Sequence, residues 1–339
     1  MSVMEHSHRG KVYEKVHSEA TALVAELLGT PLDTWDVLFV QGGASMAFAQ
    51  IPMNFLGPNM TADYVVTGAW GEKAVAEART IKALGGGEPH VAASTKGADK
   101  SYVRVPKQEE LTLTPNAAYL HVTSNETIHG VEYAVGPEMP FPKAAVPIVV
   151  DMSSDILGRR VDASQFDMIY AGAQKNIGPA GLTIVIVRDD LIGETLKGTP
   201  TMFDYKIHAD NESMYNTPPT FAMYTAGLVF KWLKKNGGLA AMEKTNREKA
   251  GLLYSKLDST GFYNSPVAQD NRSLMNVPFT LKDAALDEAF LKGAKERGLL
   301  QLKGHRSVGG MRASIYNAMP LEGVRALVDY MDAFEKQQG

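Results

Sequence analysis

A single lysine, Lys175, lies among small and turn-forming residues between two apolar runs. The segment reads AGAQKNIGPAGL (171–182). The runs FDMIY (166–170) and LTIVIV (182–187) on its two sides have the length and composition of buried strands. In open α/β sheets, ligands bind beyond the carboxyl ends of the strands, so Lys175 is a candidate for chemistry at a sheet edge.

A second chemical group follows an earlier strand-like run. The run VPIVV (146–150) leads into Asp151, and Ser153 lies two residues later. If the strands before Asp151 and Lys175 are parallel neighbours, their side chains meet at one edge of the sheet. An ion pair without catalytic role fits this placement. So does a pyridoxal phosphate site, in which the lysine forms a Schiff base and the aspartate keeps the pyridine nitrogen protonated. The spacing alone leaves both open.

A third motif, QGGASMAF (41–48), joins a strand-like run to a helical pattern. Small residues up to Ala44 and Ser45 allow backbone N–H groups to close on a phosphate at a helix N-terminus. An ordinary tight strand–helix turn explains the motif equally well. No GK[ST] or GxGxxG sequence is present, so neither an ATP-type P-loop nor a dinucleotide fingerprint is indicated.

One aromatic residue, Trp70, ends the run ADYVVTGAW (62–70). An aromatic ring at a strand end can stack on a planar cofactor. A core tryptophan in the first turn of a helix is the alternative, and the sequence does not decide between them.

Cationic residues occur in small groups near both ends of the chain. Two arginines flank the glycine-rich bend GHRSVGGMRAS (304–314), an arrangement suited to a carboxylate or phosphate, although a solvated basic loop is the alternative. The candidate anion-binding residues are His8, Arg9, His305, Arg306 and Arg312. His6 and His8 have no evident third ligand, so we expect no metal site.

The composition excludes several classes of function. The chain has 339 residues and a formal net charge of −4, which provides no basic footprint for nucleic acid. It has no Cys, which excludes disulfides, thiolate chemistry and cysteine-ligated metals. Its apolar runs are strand-length, and its first residues lack the apolar core of a signal peptide. We therefore expect a cytoplasmic protein that binds neither nucleic acid nor a membrane.

Strand-like and helix-like segments alternate over the first two thirds of the chain, which predicts an α/β domain with a mainly parallel sheet. A long helix is predicted over 219–235, and Gly237 and Gly238 follow it. Beyond that point the pattern is α+β. We predict a large domain over residues 1–236 and a small C-terminal domain over 237–339.

Within the small domain, the pattern predicts a strand over 274–281, a helix over 284–297 and a pair of strands around 299–316. A final helix is predicted over 321–336. No internal repeat or low-complexity tract is present.

Taken together, these motifs resemble the phosphoserine aminotransferases, a family of class V, fold-type I pyridoxal phosphate enzymes. The similar blocks run in order along the whole chain: SHRG (7–10), the QGGAS turn, TADYVVTGAW, SNETIHG (124–130), AGAQKNIGPAGLTIVIVR, NTPPTF (216–221) and GHRSVGGMRASIYNAMPLEG (304–323). The resemblance implies a mainly parallel seven-stranded sheet in a large domain and a small α+β C-terminal domain.

The resemblance also implies a role for each motif residue. Lys175 would be the Schiff-base lysine, Asp151 would pair with the pyridine nitrogen, and Trp70 would stack on the ring. The other residues implied to bind the cofactor are Thr127, Ser153, Gln174, the turn at Ala44 and Ser45, and Asn216 and Thr217 from the partner subunit. Substrate anions would meet Arg312, His305 and Arg306, with His8 and Arg9 contributed across a homodimer.

The implied reaction is amino transfer between O-phospho-L-serine and 2-oxoglutarate, part of serine biosynthesis. Members of the family carry a lead-in segment before the block that here begins at Met1, so we expect reduced activity or a weakened dimer. Alternatives are another class V aminotransferase, a form that binds cofactor without turnover, and a non-catalytic phosphate-binding module. A cysteine desulfurase is excluded because the chain has no Cys.

Overall fold

The computed structural model describes residues 2–133 and 140–338. Eight α-helices occur in these ranges: α1 (Lys11–Leu28), α2 (Gly43–Phe55), α3 (Ala69–Ala83), α4 (Tyr205–Asp210), α5 (Thr220–Lys235), α6 (Gly238–Ser259), α7 (Asp287–Glu296) and α8 (Leu321–Gln338). The strands of the same ranges are β1 (Trp35–Gln41), β2 (Thr61–Val66), β3 (Glu88–Ser94), β4 (Leu120–Thr123), β5 (Asn125–Glu126), β6 (Val131–Glu132), β7 (Ile148–Asp151), β8 (Met168–Gly172), β9 (Leu182–Arg188), β10 (Tyr263–Asn264), β11 (Asn276–Leu281) and β12 (Met311–Ser314).

Seven strands form one sheet in the order β1-β9-β8-β7-β4-β2-β3. The pairs from β8 through β7, β4 and β2 to β3 are parallel, whereas β9 runs antiparallel to both β8 and β1. Nearly every residue of β7, β8 and β9 is buried, as expected for strands covered on both faces. The predicted α/β class with a mainly parallel sheet is confirmed.

The register of three neighbouring strands determines where the site forms. Thr123 pairs with Asp151 across β4 and β7, and Asp151 pairs with Tyr170 across β7 and β8. Because these strands are parallel, their carboxyl ends lie side by side. The segments that follow them therefore converge at one edge of the sheet.

The helix α1 packs along α5, and the C-terminal end of α1 follows from the sequence. Gly29 ends the helix in the left-handed conformation, with φ of 71°, and its N–H donates to the carbonyl of Ala25. Ion pairs of Lys231 with Glu19 and of Lys234 with Glu26 join the exposed edges of the two helices.

A second, smaller sheet of three antiparallel strands has the order β10-β11-β12. The predicted pair of strands around 299–316 is wrong in part, because the described structure has one strand there, β12, and a single bridge between Lys303 and Met311. The left-handed Gly309 and Gly310 turn the chain immediately before β12 and leave no regular partner strand on that side. The sequence prediction missed β10, which is only two residues long.

Buried apolar side chains form two clusters. One contains residues from Tyr13 to Met242, together with Val267, and includes the large sheet. The other extends from Ala250 to Phe334 around the small sheet. Helix α6 contributes to both clusters, since Leu239 belongs to the first and Leu253 to the second. The division at residue 236 stays a prediction.

A buried hydrogen-bond network of asparagines joins the two regions. The side-chain amide of Asn246 in α6 donates to Asn317 and to the carbonyl of Gly158, at 2.8 and 2.7 Å. The backbone N–H of Asn317 donates to Oδ1 of Asn176, the residue after Lys175, at 3.1 Å. In the described ranges, no helix combines the length and apolar character that crossing a bilayer requires.

Candidate active site

Asp151 is the last residue of β7 and lies at the carboxyl edge of the large sheet. Its carboxylate is buried and accepts hydrogen bonds from the backbone N–H and the hydroxyl of Ser153, at 2.9 and 2.6 Å. Ser153 Oγ in turn accepts from the N–H of Gly172 at the end of β8. Burial raises the pKa of Asp151, whereas the bonds from Ser153 and the charge of Lys175 oppose that rise.

Lys175 lies in the turn between β8 and β9, which are neighbouring antiparallel strands. The backbone bond from Ala173 N to Leu182 O, 2.9 Å long, closes the base of this turn. The amine is half-buried, and burial lowers its pKa, while Asp151 raises it and Arg312 lowers it further. A lysine with a lowered pKa supplies an uncharged amine more readily, which nucleophilic catalysis by lysine requires.

The glycine turn between β1 and α2 lies next to these groups. Gly42 and Gly43 both have positive φ, at 100° and 68°, and Gly42 N donates to the carbonyl of Gly181 in the turn after Lys175. Helix α2 has no side-chain cap, so the N–H groups of its first turn, near Ala44 and Ser45, point toward the turn without such a partner. Such a helix start favours an anion.

Trp70 occupies the first turn of α3. Its indole Nε1 donates to the hydroxyl of Thr127 at 2.8 Å, and its backbone N–H donates to the carboxylate of Glu126 at 2.9 Å. The amine of Lys175 lies 5.5 Å from the centroid of the Trp70 ring. Glu126 thus holds the backbone of Trp70, and Thr127 holds its ring, at the edge of the site.

These groups line one cavity of about 400 Å³. It includes seven of the sequence-predicted residues: Ala44, Ser45, Trp70, Asp151, Ser153, Gln174 and Lys175. A flat aromatic wall, a buried carboxylate, a lysine and an uncapped helix start are the groups that a planar, phosphorylated pyridine ring requires. The residues present therefore fit pyridoxal phosphate.

A second cavity, of about 660 Å³, is lined by Ala69 and Glu72 of the first turn of α3, whereas Trp70 of the same turn lines the first cavity. His305 and Arg306 line it with Lys73, Lys96 and Lys100, while Glu72 and Asp99 supply the negative charges. Lys96 is paired with Glu72 at 2.5 Å. The cations on this wall outnumber the carboxylates, which suits a multiply anionic ligand although the whole chain is acidic.

The remaining predicted residues lie outside the first cavity. Thr127 contacts Trp70, as described above, and Arg312 donates from Nη1 to the backbone carbonyl of Thr127 at 3.0 Å. Asn216 lines a separate cavity with Met202 and His208, and Thr217 beside it is exposed. His8 and Arg9 lie in the turn before α1, with the ring of His8 partly buried and Arg9 exposed.

The structure adds lining residues that the sequence argument missed: Thr123, Asn125, Ser154, Ala180 and Gly181. Thr123 is the last residue of β4, so the rule that ligands bind at strand ends could have identified it. In the described ranges, no cluster of three or more His, Asp or Glu side chains is arranged to hold a metal ion.

Comparison with known proteins agrees with this geometry. The aminotransferase class-V family model matches residues 2–327. A phosphoserine aminotransferase of Laribacter hongkongensis is 57% identical over 100% of this chain and 91% of its own length. The solved phosphoserine aminotransferase of Bacillus circulans subsp. alkalophilus superposes with a TM-score of 0.93 at 50% identity, over 100% of this chain and 91% of that one. A pyridoxal phosphate-bound phosphoserine aminotransferase of Trichomonas vaginalis gives a TM-score of 0.90 at 41% identity, over 98% and 91% of the two chains.

The fold and the site define a pyridoxal phosphate-dependent aminotransferase of class V. Within that class, the chain belongs to the phosphoserine aminotransferase family. The family that the sequence motifs resemble is thereby confirmed.

Proposed function

We propose that this protein catalyses reversible amino transfer between O-phospho-L-serine and 2-oxoglutarate, giving 3-phosphohydroxypyruvate and L-glutamate. The observation that carries the proposal is the presence of two cavities at the first turn of α3. One is lined by Lys175 and Asp151, and the other is lined by His305 and Arg306 among other cations. Every substrate and product of this reaction carries at least two negative groups, which a cation-rich wall binds.

Asp151, Ser153, Trp70 and the α2 turn are the residues proposed to hold the cofactor, with Thr127 and Gln174 assisting. When bound, pyridoxal phosphate supplies an electron-withdrawing ring that stabilises negative charge at the substrate Cα. Asp151, buried beside Lys175, would keep the ring nitrogen protonated. The uncapped N–H groups of α2 would receive the phosphate.

Lys175 has two proposed tasks. Its amine would hold the cofactor covalently. When free, this amine, whose pKa burial lowers, would take the proton from the substrate Cα and deliver it within the cavity. Arg312 would bind the substrate carboxylate while remaining hydrogen-bonded to the Thr127 carbonyl. His305 and Arg306 would bind the phosphate or the distal carboxylate.

The proposed active form is a homodimer in the cytoplasm. Helix α5 exposes four large apolar side chains on one face, Phe221, Tyr224, Leu228 and Trp232. An exposed apolar stripe of this size marks an interaction surface. It begins just after Asn216 and Thr217, so a second copy bound to this stripe would lie near these two residues. This supports the proposal that they, with His8 and Arg9, reach the partner's site. The absence of Cys accords with a reducing compartment.

A half-reaction tests the function. Protein loaded with pyridoxal phosphate and mixed with phosphoserine alone is expected to lose its visible cofactor absorbance, and 2-oxoglutarate is expected to restore it. Arg306→Ala should raise the phosphoserine concentration for half-maximal rate by at least tenfold, because it removes a charge-assisted bond to the phosphate. Unchanged absorbance with phosphoserine, together with normal cofactor binding, would refute the proposed substrate.

The role of Lys175 is tested separately by reduction with borohydride. In the loaded protein, reduction should attach the cofactor to the peptide that contains Lys175, as read by mass spectrometry. Lys175→Ala should give no attached cofactor, and Lys73→Ala serves as the matched control because its amine also lies near the Trp70 ring, at 4.1 Å. Attachment at Lys73, or at no lysine, would contradict the assignment.

A further inference from the structure

The carboxylate of Glu126 is fully buried behind the wall of the first cavity, yet it lines neither cavity. One of its oxygens accepts from the N–H of Trp70 at 2.9 Å, and the other accepts from the N–H of Gly71 at 2.8 Å. Helix α3 begins after Gly68, which has no side chain to cap it. Glu126 therefore provides, from a distant part of the chain, the cap that the local sequence lacks.

The carboxylate of Glu126 packs closely against Gly68 and Gly71. A Cβ added to Gly68 would overlap the Cδ, Cγ and Oε2 atoms of Glu126, and one added to Gly71 would lie 3.5 Å from its Oε1. Gly68 has an extended backbone, so conformational freedom is not what requires glycine there. The close approach of the carboxylate is the structural reason for a residue without a side chain.

The residue after Glu126 holds the other end of the same tryptophan. Thr127 Oγ1 accepts from the indole Nε1 of Trp70 at 2.8 Å, and the Thr127 carbonyl accepts from Arg312 at 3.0 Å. Two consecutive residues thus fix the backbone and the ring of Trp70, and the second of them, Thr127, also contacts the arginine of the small sheet. A residue that only capped α3 would not need a neighbour that also binds the indole ring of Trp70.

We propose that Glu126 is a positioning residue, whose carboxylate holds the first turn of α3 so that the Trp70 ring forms a rigid wall for the cofactor. The inference rests on the proposed cofactor site. It concerns residues of this chain, and its first test needs no cofactor.

That first test uses fluorine NMR of the full-length protein labelled with 5-fluorotryptophan. The chain has three tryptophans, and Trp70→Phe assigns the resonance of interest. Without cofactor, Glu126→Ala is expected to shift and broaden the Trp70 resonance and to leave Trp35 and Trp232 unchanged. Glu126→Gln should have a smaller effect, because the amide keeps one acceptor for one of the two N–H groups.

The second test measures pyridoxal phosphate itself. Glu126→Ala should weaken its binding about tenfold, the factor that corresponds to the loss of roughly one hydrogen bond. At saturating cofactor, the visible circular dichroism of the bound ring should also decrease, since a loosely held Trp70 orients it less well. Partial recovery of both signals in Glu126→Gln is expected.

Asp63→Asn is the matched control. Asp63 is also a fully buried carboxylate of the large sheet region, and it accepts from the N–H and hydroxyl of Thr114 at 2.7 and 2.8 Å without lining either cavity. Its substitution should lower stability and leave the Trp70 resonance and the cofactor signals unchanged. If Glu126→Ala does not fold, Gly68→Ala displaces the carboxylate from the other side and is expected to give the same changes.

An unmoved Trp70 resonance in a folded Glu126 or Gly68 variant would overturn the inference. So would an equal change in Asp63→Asn. If instead the unsubstituted protein fails to bind pyridoxal phosphate, the proposed function falls, while the fluorine measurement still decides the role of Glu126.

Discussion

At the scale of residues, Lys175 and Asp151 are each shifted by burial toward the uncharged form and by each other toward the charged form. The pKa of the lysine is lowered and that of the aspartate is raised, so the pair is less firmly ionised than the same residues in water. A cofactor bound to both residues would replace their mutual attraction with its own contacts. The weakened ionisation of the pair thus favours binding of a ligand that contacts both residues.

The pH dependence of stability is expected to reveal Glu126. Burial raises its pKa to about 7 from an ordinary 4.5, and the carboxylates of Asp151 and Glu72 add to the rise, while the N–H groups of Trp70 and Gly71 oppose it. Lys175 and Tyr102 also interact with it electrostatically. The folded state therefore keeps the proton in a range where the unfolded chain has lost it.

Folding takes up that proton between pH 4.5 and about 7, so the contribution of Glu126 to the free energy of unfolding decreases as pH rises through this window. The whole difference is on the order of 3 kcal/mol. Glu126→Gln should remove this decrease, as measured by urea unfolding at a series of pH values. Above about pH 8 the two curves should run parallel, which is the internal control. Parallel curves over the whole range would contradict the raised pKa.

The sequence predicted the placement of residues that follow strands, whereas it gave no indication of residues that act through tertiary contacts. Asp151 and Lys175 follow apolar runs whose strand character is evident, and parallel pairing brings the two strand ends together. Glu126 gave no such signal, because its partners in α3 are far away in sequence. Only the packing of α3 shows that a buried carboxylate serves as its cap.

At the scale of elements, the turn from β1 into α2 is a tightly constrained connection of the site. Gly42 has φ of 100°, and a Cβ there would lie 2.6 Å from the Cβ of Met46. Gly42→Ala therefore combines backbone strain with a clash at the first turn of α2. We expect a loss of at least about 1 kcal/mol in stability, and weaker binding of pyridoxal phosphate.

Gly85→Ala is the matched control for this turn. Gly85 has nearly the same φ, 103°, but has open space around its Cβ position and lies after α3, away from the turn. It should lose similar stability from strain alone and bind the cofactor normally. Equal cofactor affinity in the two variants, measured by titration of the visible circular dichroism, would show that the turn does not hold the phosphate.

Elements were predictable where burial dictated their sequence. The strands β7, β8 and β9 are almost entirely buried, so their runs of apolar and β-branched residues were unambiguous. Residues 299–310 are mostly exposed and the chain turns at Gly309 and Gly310, so no alternation marked whether a second strand precedes β12. The two-residue β10 exists only because β11 lies beside it.

At the scale of the whole molecule, the exposed face of α5 should determine the oligomeric state. Leu228 lies in the middle of the apolar stripe and is 46% exposed. Leu228→Glu should convert a dimer to a monomer, because a charge cannot be buried unpaired in an apolar interface. Light scattering after gel filtration measures the mass directly. Activity should fall with the dimer if Asn216 and Thr217 serve the partner's site.

Leu84→Glu is the control for this surface, since Leu84 is 67% exposed at the end of α3 and its substitution adds the same charge. It should leave the mass unchanged. A monomeric unsubstituted protein, or a Leu228→Glu variant that remains dimeric, would contradict the proposed interface. The sequence showed this helix to be strongly apolar, but which face stays uncovered follows only from the packing of α1 against the other side.

The antiparallel pairing of β1 with β9 has a consequence for synthesis of the chain on the ribosome. Trp35 pairs with Arg188, and Gly42 bonds to Gly181, so the glycine turn cannot be completed until most of the large sheet has been translated. The nascent β1 stays unpaired until β9 is synthesised, whereas β2 and β3 are close in sequence and pair on either side of α3. Closing so long a loop is slow. The turn between β1 and α2 is therefore assembled late, once β9 has been synthesised.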